Sequence, residues 1–482
     1  MKTKLQWLLV AGLTLCLNTI ILLGQESKTA NYRSDRTCQD SLYKDLIKHF
    51  QIEIPKQMKE KGAVGVAVAL TDENGIIWAQ GFGYTDDDKK YKVDEETLFC
   101  LASVTKVFNA VSILIAYQNG LLDLDTPITA YLPNFHFNSK FEEKPENKIT
   151  LRHLLSHKSG LQELSPVGNT YDWQPNYSWR GISYDEHIAS INNTWLRSPV
   201  GKEYFYSNCG ADLAGYILQT QSKMGYAEYV NKNLFEPLQI EKSLFNPVYN
   251  DLNRTHIAIG QAPGYYEQLP WYTPQMQASS LFSNVVEVSK LVRLFLNNGK
   301  VDDKKIIDST ILSQMYRIPF NNDFSVNGYG LGMEILTKDN TFLYHHTGGA
   351  FGFGARAAWY PKYKLGVVVL TNSMMGLSYN LAGNILDEAV KIKGSVSNNK
   401  KEIIYKTDIN SYVGNYILKR GGLVEDTLAI KISDGKLLIN NLELEEVEEG
   451  VFYTGKGDVL IFKNENPVWN NLKIEKLPEK EK

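Results

Sequence analysis

Ser103 and Lys106 form an S-x-x-K pair whose residue types and spacing suit nucleophilic catalysis. A serine hydroxyl attacks a carbonyl carbon only when a neighbouring group accepts its proton. On a helix, positions three residues apart share a face, so Lys106 is expected one turn beyond the Ser103 hydroxyl. A lysine held on an inner face loses solvation, which lowers its pKa from about 10.4 and lets it act as a base.

The same spacing also has a structural explanation, because serine is a common helix cap and lysine is usually a surface residue. Three other S-x-x-K strings fall at the start of an amphipathic helix, in a polar linker and at a hairpin turn: Ser41 and Lys44, Ser397 and Lys400, Ser433 and Lys436. Ser103 instead follows an apolar segment and opens a helix with a buried pattern. The start of that helix offers free N–H groups and a positive dipole end to an anionic intermediate.

Tyr206 and Asn208 form a Y-x-N triplet at the head of a second helical segment. As structural residues, Asn208 would cap that helix and Tyr206 would be a core aromatic. As functional residues, Tyr206 would lie beside Lys106, where the cation lowers the pKa of the phenol, and would act as base and then as acid. Asn208 would then donate a hydrogen bond to the substrate amide. The triplet also occurs at Tyr117 and Tyr229, so it is weak evidence alone.

His346, Thr347 and Gly348 form an H-x-G triplet at the end of an apolar strand, and Gly349 follows. A strand end with a glycine turn and an exposed histidine would explain the same residues structurally. If the strand edge is open, a peptide-like substrate can pair with it. The N–H of Gly349 would then join the N–H of Ser103 as an oxyanion hole, and His346 and Thr347 would face the substrate, in particular a carboxylate.

Taken in this order, the three triplets resemble those of the penicillin-recognising serine hydrolases. Within this group the chain is similar to class C β-lactamases, serine D,D-carboxypeptidases, D-aminopeptidases and related esterases. Three flanking stretches agree with the resemblance, which spans about residues 40–393: GLLDLDTPITAYLP, ITLRHLLSHKSGL and YGLGMEI.

The resemblance implies roles for these residues. Ser103 is the expected nucleophile, and Lys106 and Tyr206 are the expected proton-transfer pair. The remaining positions are expected to contact the substrate: Asn208, His346, Thr347, Gly348 and Gly349. The implied reaction is attack on an amide, lactam or ester carbonyl, formation of an acyl-enzyme and release by water. It needs neither a metal nor an organic cofactor.

The chain also departs from the pattern of some family members. It carries H-T-G where class C β-lactamases usually carry K-T-G, and it has no S-D-N and no E-x-x-L-N loop, so the class A deacylation glutamate has no counterpart. Phe353 and Gly354 stand where small polar residues are often seen, which predicts a less polar inner pocket.

Several functions remain open on this evidence. The leading hypothesis is an exported hydrolase of amide bonds in D-amino-acid-containing peptides, of D,D-carboxypeptidase or D-aminopeptidase type. Alternatives on the same site are an esterase and a weak β-lactamase, because one fold hosts several acyl-transfer chemistries. An alternative of another class is an acyl-binding sensor or scaffold without turnover. The expected partner is a small peptide, ester or β-lactam.

The elements around these motifs predict an α/β fold of the β-lactamase-like sandwich type. An amphipathic helix and a hairpin turning at Asn74 and Gly75 precede Ser103, and further strands begin near Gly328. A mostly helical stretch lies between them. The sheet is therefore expected to combine distant segments, with helices around it and a helical subdomain inserted.

The ends of the chain differ from this central region. Residues 1–24 have lysines, then a charge-free apolar run, and predict a signal peptide or membrane anchor; 25–39 is a polar segment. Residues 40–393 are the expected hydrolase domain and 394–404 a linker. Residues 405–482 predict a small all-β barrel, similar to the lipocalin-like domains of some relatives and a candidate surface for homo-oligomers. The expected location is the bacterial periplasm or the exterior.

Composition excludes several other classes of protein. The chain is 43% hydrophobic and 22% charged, with a formal net charge of -3, which is ordinary globular composition. Since there is no basic cluster, nucleic acid is not an expected partner. A membrane is expected only through the N-terminus. Cys38, Cys100 and Cys209 remain after the signal; they are too few for a disulfide framework and are expected to be mostly buried thiols.

Overall fold

A computed structural model describes most of the chain. It covers residues 42–167, 182–247, 256–261, 273–302, 304–319, 328–338, 341–350, 352–373, 375–397, 408–420, 423–433, 435–448, 450–454, 459–462, 467–469 and 472–477. The chain divides into a short unit, Met1–Asp45, and a large unit, Leu46–Lys482. The expected signal peptide, the polar segment with Cys38, and most of the expected linker lie outside the described residues.

The elements of the described residues follow in chain order. The helices are α1 (Lys44–Lys61), α2 (Thr105–Gln118), α3 (Leu151–Leu155), α4 (Tyr184–Ile191), α5 (Asn208–Ser222), α6 (Tyr226–Val230), α7 (Glu236–Leu238), α8 (Met276–Ser279), α9 (Val285–Leu296), α10 (Ser309–Leu312) and α11 (Met375–Ser397). Short 3₁₀ turns are Ala102–Val104, Ile128–Ala130, Pro145–Asn147, Ser313–Tyr316, Pro361–Tyr363 and Ile409–Tyr412, and Asn231–Phe235 is a π-helical turn.

The strands of the hydrolase domain are β1 (Gly65–Asp72), β2 (Ile76–Gly83), β3 (Phe99–Cys100), β4 (Leu244–Phe245), β5 (Leu281–Ser283), β6 (Lys300–Val301), β7 (Lys304–Lys305), β8 (Gly328–Tyr329), β9 (Glu334–Lys338), β10 (Thr341–Ala350), β11 (Phe353–Tyr360) and β12 (Leu365–Thr371). Those of the tail are β13 (Gly414–Arg420), β14 (Leu423–Ser433), β15 (Lys436–Ile439), β16 (Leu442–Glu448), β17 (Val451–Thr454), β18 (Val459–Ile461), β19 (Val468–Trp469) and β20 (Leu472–Lys476).

A seven-stranded sheet organises the hydrolase domain, with the order β2-β1-β12-β11-β10-β9-β8. Its strands pair antiparallel, and β1 lies next to β12 although most of the domain separates them in sequence. The α/β sandwich expected from the sequence is therefore confirmed, with the helical stretch inserted between the first and last strands. The strands β1, β11 and β12 are buried along their whole length, as expected of a sheet covered on both faces.

Helices cover both faces of this sheet. On one face, Trp359 of β11 stacks on Phe295 of α9 with ring centroids 4.6 Å apart. On the other face, the Arg356 guanidinium lies over Tyr379 of α11 and donates to its carbonyl oxygen at 2.7 Å. Because side chains alternate along a strand, odd and even positions of β11 face different helices. This alternation also decides which residues of the neighbouring β10 face the turn that holds Ser103.

The local elements differ from expectation at three places. The ITLRHLLSHKSGL stretch, expected to be helical, is helical only over α3, capped by the Thr150 hydroxyl that accepts from the His153 N–H. Helix α11 runs to Ser397 and so continues into the expected linker. Ser103 lies in a 3₁₀ turn just before α2 rather than in the helix itself.

The tail forms a closed barrel in which β13 to β20 pair antiparallel in sequence and β13 closes on β20. Its core includes Tyr416, Leu437, Phe452 and Leu460. Ser433 pairs with Lys436 across the β14–β15 hairpin, so this S-x-x-K string is a turn, as expected. The small all-β barrel is confirmed, whereas its likeness to lipocalins stays a prediction.

Two further findings concern cysteines and membranes. Cys100 and Cys209 are free and buried, as expected of structural thiols. A search of the described helices finds none with the length and apolar character needed to cross a bilayer.

Candidate active site

Ser103 lies in the tight turn that joins the short strand β3 to α2. The residue before it, Ala102, has a positive φ of 44°, a conformation that side chains other than glycine seldom adopt. The Leu101 N–H donates to the Leu281 carbonyl on β5, which ties the turn to the three-stranded sheet. The Ser103 side chain is half-buried. The turn therefore presents the hydroxyl at the start of a buried helix.

Lys106 is 2% exposed, and its ammonium group is held by three acceptors. Nζ lies 3.2 Å from Ser103 Oγ, 2.7 Å from Asn208 Oδ1 and 2.9 Å from the Ala278 carbonyl oxygen. The structural explanation of this S-x-x-K pair, a cap with a solvated lysine, does not fit a lysine buried against the serine hydroxyl. The geometry is that of a base within reach of a nucleophile.

Burial lowers the pKa of Lys106 from its usual 10.5 to about 7, although Asp212 and Glu163 act in the opposite direction. A large part of the lysine is therefore neutral near pH 7, because removal from water disfavours the charged form. A neutral amine in this position can accept the Ser103 proton.

Tyr206 and Asn208 meet Lys106 from the start of α5. Lys106 Nζ lies 4.8 Å from the centroid of the Tyr206 ring. Ser207, not Asn208, caps α5 through its hydroxyl, which accepts from the Gly210 N–H at 2.9 Å. Since Asn208 Oδ1 accepts from Lys106, its amide Nδ2 is the group available to donate to a substrate. The structure thus brings both residues to the lysine, as their predicted roles require.

His157 was not singled out in the sequence, yet it lies at the centre of this site. Its Nδ1 accepts the Ser207 N–H at 3.1 Å, and its ring packs at a tilt against Tyr206 and Tyr329 with centroids 4.3 Å and 4.4 Å away. Burial, Lys106 and His346 hold its pKa well below the usual range. This neutral ring links the segment after α3 to the Y-x-N triplet and supports Tyr206. His157 lies in the ITLRHLLSHKSGL stretch, which was noted in the sequence only as a flank that agrees with the resemblance.

Strand β10 passes directly over the catalytic turn. A Cβ added to Gly348 would lie 2.1 Å from the Leu101 carbonyl oxygen and 3.1 Å from the Ser103 nitrogen, so only glycine fits there. In the described residues β9 pairs with β10 only up to His345, which leaves the backbone from Thr347 to Ala350 without a strand on that side. Because Gly348 lies against Leu101 and Ser103, this open edge runs beside the Ser103 turn. The part of the Gly349 N–H in an oxyanion hole stays a prediction.

His346 is buried and has both ring nitrogens engaged. Nε2 lies 2.8 Å from the Tyr329 hydroxyl, and Nδ1 lies 2.6 Å from the Thr347 carbonyl oxygen. The second contact requires Nδ1 to carry the proton and Nε2 to accept from Tyr329. Burial and then Lys106 lower the pKa of His346 to about 3, so the ring is neutral. It cannot supply a cation to a substrate carboxylate; its predicted substrate contact stays a prediction.

Asp212 supports Lys106 from behind. Its Oδ1 accepts the N–H groups of Gln277 and Ala278 at 3.0 Å and 2.9 Å, and the Ala278 carbonyl in turn accepts from Lys106. Its Oδ2 lies 2.9 Å from His187 Nε2. This buried carboxylate fixes the segment that holds the lysine. No motif in the sequence pointed to it.

The pH dependence of acylation is expected to report this arrangement. Since the pKa of Lys106 is about 7, its neutral form prevails above that pH, and acylation should slow as the pH falls through it. Asp212→Asn keeps the Oδ1 acceptor but removes a charge that favours the ammonium. The midpoint should therefore move to lower pH. Single-turnover acylation rates across the titration measure it.

Glu53→Gln is a control for this shift, because Glu53 is a half-buried residue of α1 whose carboxylate pairs with Lys56 on the same helix. It should leave the midpoint where it is in the unaltered chain. An Asp212→Asn midpoint equal to that of the unaltered chain would show that the titrating base is not Lys106 or does not sense Asp212.

Gly332, from the YGLGMEI stretch, explains how the sheet reaches α2. It has a φ of 76°, and a Cβ there would lie 2.5 Å from the Ala110 Cβ and 2.8 Å from the Lys106 carbonyl oxygen. The close approach of β8 and β9 to the helix therefore depends on a residue without a side chain. Among the described residues no group of three or more His, Cys, Asp or Glu side chains could hold a metal ion.

Comparison with known proteins decides the family. A family model described as β-lactamase matches residues 50–390, which include every candidate site residue. The chain belongs to the β-lactamase family of serine hydrolases. Members of this family are enzymes, so the sequence resemblance and the enzyme class are confirmed.

Two curated proteins are similar to this chain in sequence. Protein flp of Staphylococcus aureus (strain MW2) is 27% identical over 327 residues, which cover 65% of this chain and 60% of that protein. Penicillin-binding protein 4* of Bacillus subtilis (strain 168) is 24% identical over 411 residues, covering 79% of this chain and 85% of that protein. The chain thus spans about 60% of the length of the flp relatives.

Two solved structures share the fold of this family member. The octameric penicillin-binding protein homologue from Pyrococcus abyssi superposes with a TM-score of 0.61 at 21% identity and covers 89% of this chain and 99% of that one. The D-amino acid amidase from Ochrobactrum anthropi SV3, complexed with L-phenylalanine, superposes with a TM-score of 0.55 at 22% identity. The match covers 70% of this chain and 95% of that one.

Proposed function

We propose that this chain is an exported serine hydrolase that forms an acyl-enzyme at Ser103 on amide bonds of D-amino-acid-containing peptides. The observation that carries the proposal is the buried Lys106, with its Nζ 3.2 Å from Ser103 Oγ and a pKa lowered to about 7. Burying a lysine side chain costs free energy, and a buried lysine with a lowered pKa is typical of a functional site, where the neutral amine acts as a base.

The reaction follows from the positions of these groups. Ser103 Oγ attacks the amide carbon while its proton passes to neutral Lys106, with Tyr206 adjacent to relay it. The oxyanion accepts hydrogen bonds from the N–H groups of Ser103 and Gly349. When the C–N bond breaks, the amine leaves with a proton returned by the same pair. Water then attacks the ester carbon, and Ser103 regains its hydroxyl.

The free edge of β10 supports a peptide substrate. An extended ligand can pair with the backbone from Thr347 to Ala350, which places a carbonyl beside the Ser103 turn. Asn208 Nδ2 would donate to the amide on the other side. The choice of D-configured substrates rests on resemblance, and the similarity to a structure named D-amino acid amidase supports it.

Export and assembly are also part of the proposal. The N-terminal apolar run supports passage across a membrane, with the chain acting in the periplasm or outside the cell. The similarity to a protein described as octameric supports homo-oligomers, for which the C-terminal barrel offers a surface.

The test is a time course of intact protein mass together with product analysis. The substrates are a D-amino acid amide, its L-enantiomer, a peptide that ends in D-Ala-D-Ala and a penicillin, each with Ser103→Ala in parallel. We expect a transient acyl adduct and turnover of at least one D-configured substrate, faster than the L-amide by roughly tenfold or more. The adduct should be absent from the variant.

The other outcomes separate the alternatives. Hydrolysis of penicillin with a transient adduct would identify a β-lactamase. A stable adduct without turnover of any substrate would identify an acyl-binding sensor and overturn the proposal. Equal or faster turnover of the L-amide would remove the D-selectivity, and turnover that survives in Ser103→Ala would remove the nucleophile.

A further inference from the structure

Thr347, a predicted substrate contact, shares its hydroxyl with an acidic side chain. Thr347 Oγ1 donates to Glu334 Oε1 at 3.3 Å. Glu334 begins β9, where strand pairing to β10 stops, and its side chain is 36% exposed. The carboxylate therefore lies beside the first residue of the open strand edge and is accessible to a ligand that binds there.

The strand register explains why these groups meet. Residues opposite one another in antiparallel strands point to the same face. Glu334 is opposite His345 on β10, and Thr347, two residues further on, is opposite Arg356 on β11. These side chains therefore lie together on the face covered by α11. His346 and Gly348 point to the other face, toward Lys106 and the catalytic turn.

His345 adds an unsatisfied polar group to this cluster. It is fully buried, and neither ring nitrogen has a hydrogen-bond partner among the described residues. Its Nε2 lies 3.8 Å from Glu334 Oε2, too far for a hydrogen bond. Buried polar atoms in folded proteins are nearly always hydrogen-bonded, so this ring has unused capacity next to the carboxylate.

Two acidic side chains, Glu334 and Glu163, act electrostatically on Tyr204 at this rim. Tyr204 is 48% exposed. Partial burial raises the pKa of its phenol above the usual range, and the charges of Glu334 and Glu163 raise it further. Burial raises the pKa of Glu334, while the Thr347 hydroxyl and the charge of Arg356 act in the opposite direction. Arg356 itself is 3% exposed and lies against Tyr379 beneath the sheet. A ligand at the rim therefore meets negative charge.

We infer, on the basis of the proposed function, that Glu334 determines substrate specificity. One end of the bound substrate lies at Thr347, next to Glu334. A substrate with a carboxylate at that end is disfavoured, and one with an uncharged or cationic group there is accepted. The physical reason is that like charges a few ångströms apart, partly out of water, repel each other more strongly than they would in bulk solvent. An amide or ammonium can instead donate to Glu334. This selects D-amino acid amides and amine-bearing peptides over D,D-carboxypeptidase substrates and penicillins, both of which carry a carboxylate.

The test compares two peptides that differ only at the C-terminus: one ends in D-Ala-D-Ala with a free carboxylate and the other in the same sequence with a carboxamide. The unaltered chain should favour the carboxamide by roughly tenfold or more in kcat/KM. Glu334→Gln keeps an acceptor for Thr347 and should bring the ratio toward one, and Glu334→Lys should reverse it. Glu53→Gln, which removes a charge on α1, should leave the ratio unchanged.

The outcomes distinguish this inference from the proposed function. Equal rates for both peptides, or a ratio that Glu334→Gln does not change, would overturn the role of Glu334, while Ser103-dependent hydrolysis of the same peptides would leave the proposed function standing. If neither peptide nor any D-amino acid amide reacts at Ser103, the role of Glu334 and the proposed function are both wrong. Circular dichroism of each variant verifies that altered ratios do not reflect misfolding.

Discussion

Ser103→Ala is expected to abolish acylation and to reduce hydrolysis by at least about 10⁴-fold, because no other group in the site can form the acyl bond. Of the three oxygens around Lys106 Nζ, Ser103 Oγ is the one that belongs to a hydroxyl. Removing a half-buried hydroxyl leaves no large cavity, so the variant should fold normally. The measurements are kcat/KM for a reactive D-amino acid amide and the intact mass after exposure to it.

Ser112→Ala is the matched control for this loss. Ser112 lies on the same helix α2, but its hydroxyl donates to the Phe108 carbonyl oxygen at 2.8 Å inside the core. Because that carbonyl also belongs to the helix, the change should leave hydrolysis near that of the unaltered chain. Turnover retained by Ser103→Ala, with the adduct on another residue, would place the nucleophile elsewhere.

Lys106→Ala is expected to slow acylation by about 10²–10⁴-fold, the usual contribution of a general base. The variant also leaves Asn208 Oδ1 and the Ala278 carbonyl oxygen without their donor. Lys106→Met fills the space and removes the buried charge, which should preserve the fold better than alanine does. Both variants should lose acylation although Ser103 is present. Single-turnover rates and thermal unfolding are measured together.

Lys290→Ala separates this effect from the general loss of a lysine. Burial also lowers the pKa of Lys290, which lies on α9 and donates to the Gln239 carbonyl oxygen. Its removal should leave acylation unchanged. If Lys106→Met folds and still acylates at the normal rate, the S-x-x-K pair is a structural feature and not a catalytic one.

The sequence predicts those residues of the candidate site that belong to its three motifs. Ser103, Lys106 and Asn208 are brought together as expected, because Ser103 lies in the turn that leads directly into the helix carrying Lys106, and Asn208 lies at the head of another helix. The burial of His346 could not be predicted in this way. A histidine at a strand end is as consistent with an exposed ring as with a buried one, and only the contact of its ring with the Tyr329 hydroxyl, two strands away in the sheet, decides between them.

The supporting residues escaped sequence reasoning for a related reason. Asp212 acts through the backbone of Ala278, and His157 acts through the Ser207 N–H, so each contact depends on segments that are distant in the chain. A lone aspartate on a helix and a lone histidine in a loop are ordinary residues in the sequence. Their roles appear only when the helices around Lys106 are assembled.

The sequence by itself determined the family, the class of enzyme and the alternation of strands and helices. The first two follow from the order of the motifs, and the third follows from hydrophobic periodicity. The tertiary structure decided the properties of the groups. Burial places the pKa of Lys106 at about 7, and strand register sets Glu334 against Thr347. Desolvation and charge proximity depend on distances through space, and a linear pattern does not contain those distances.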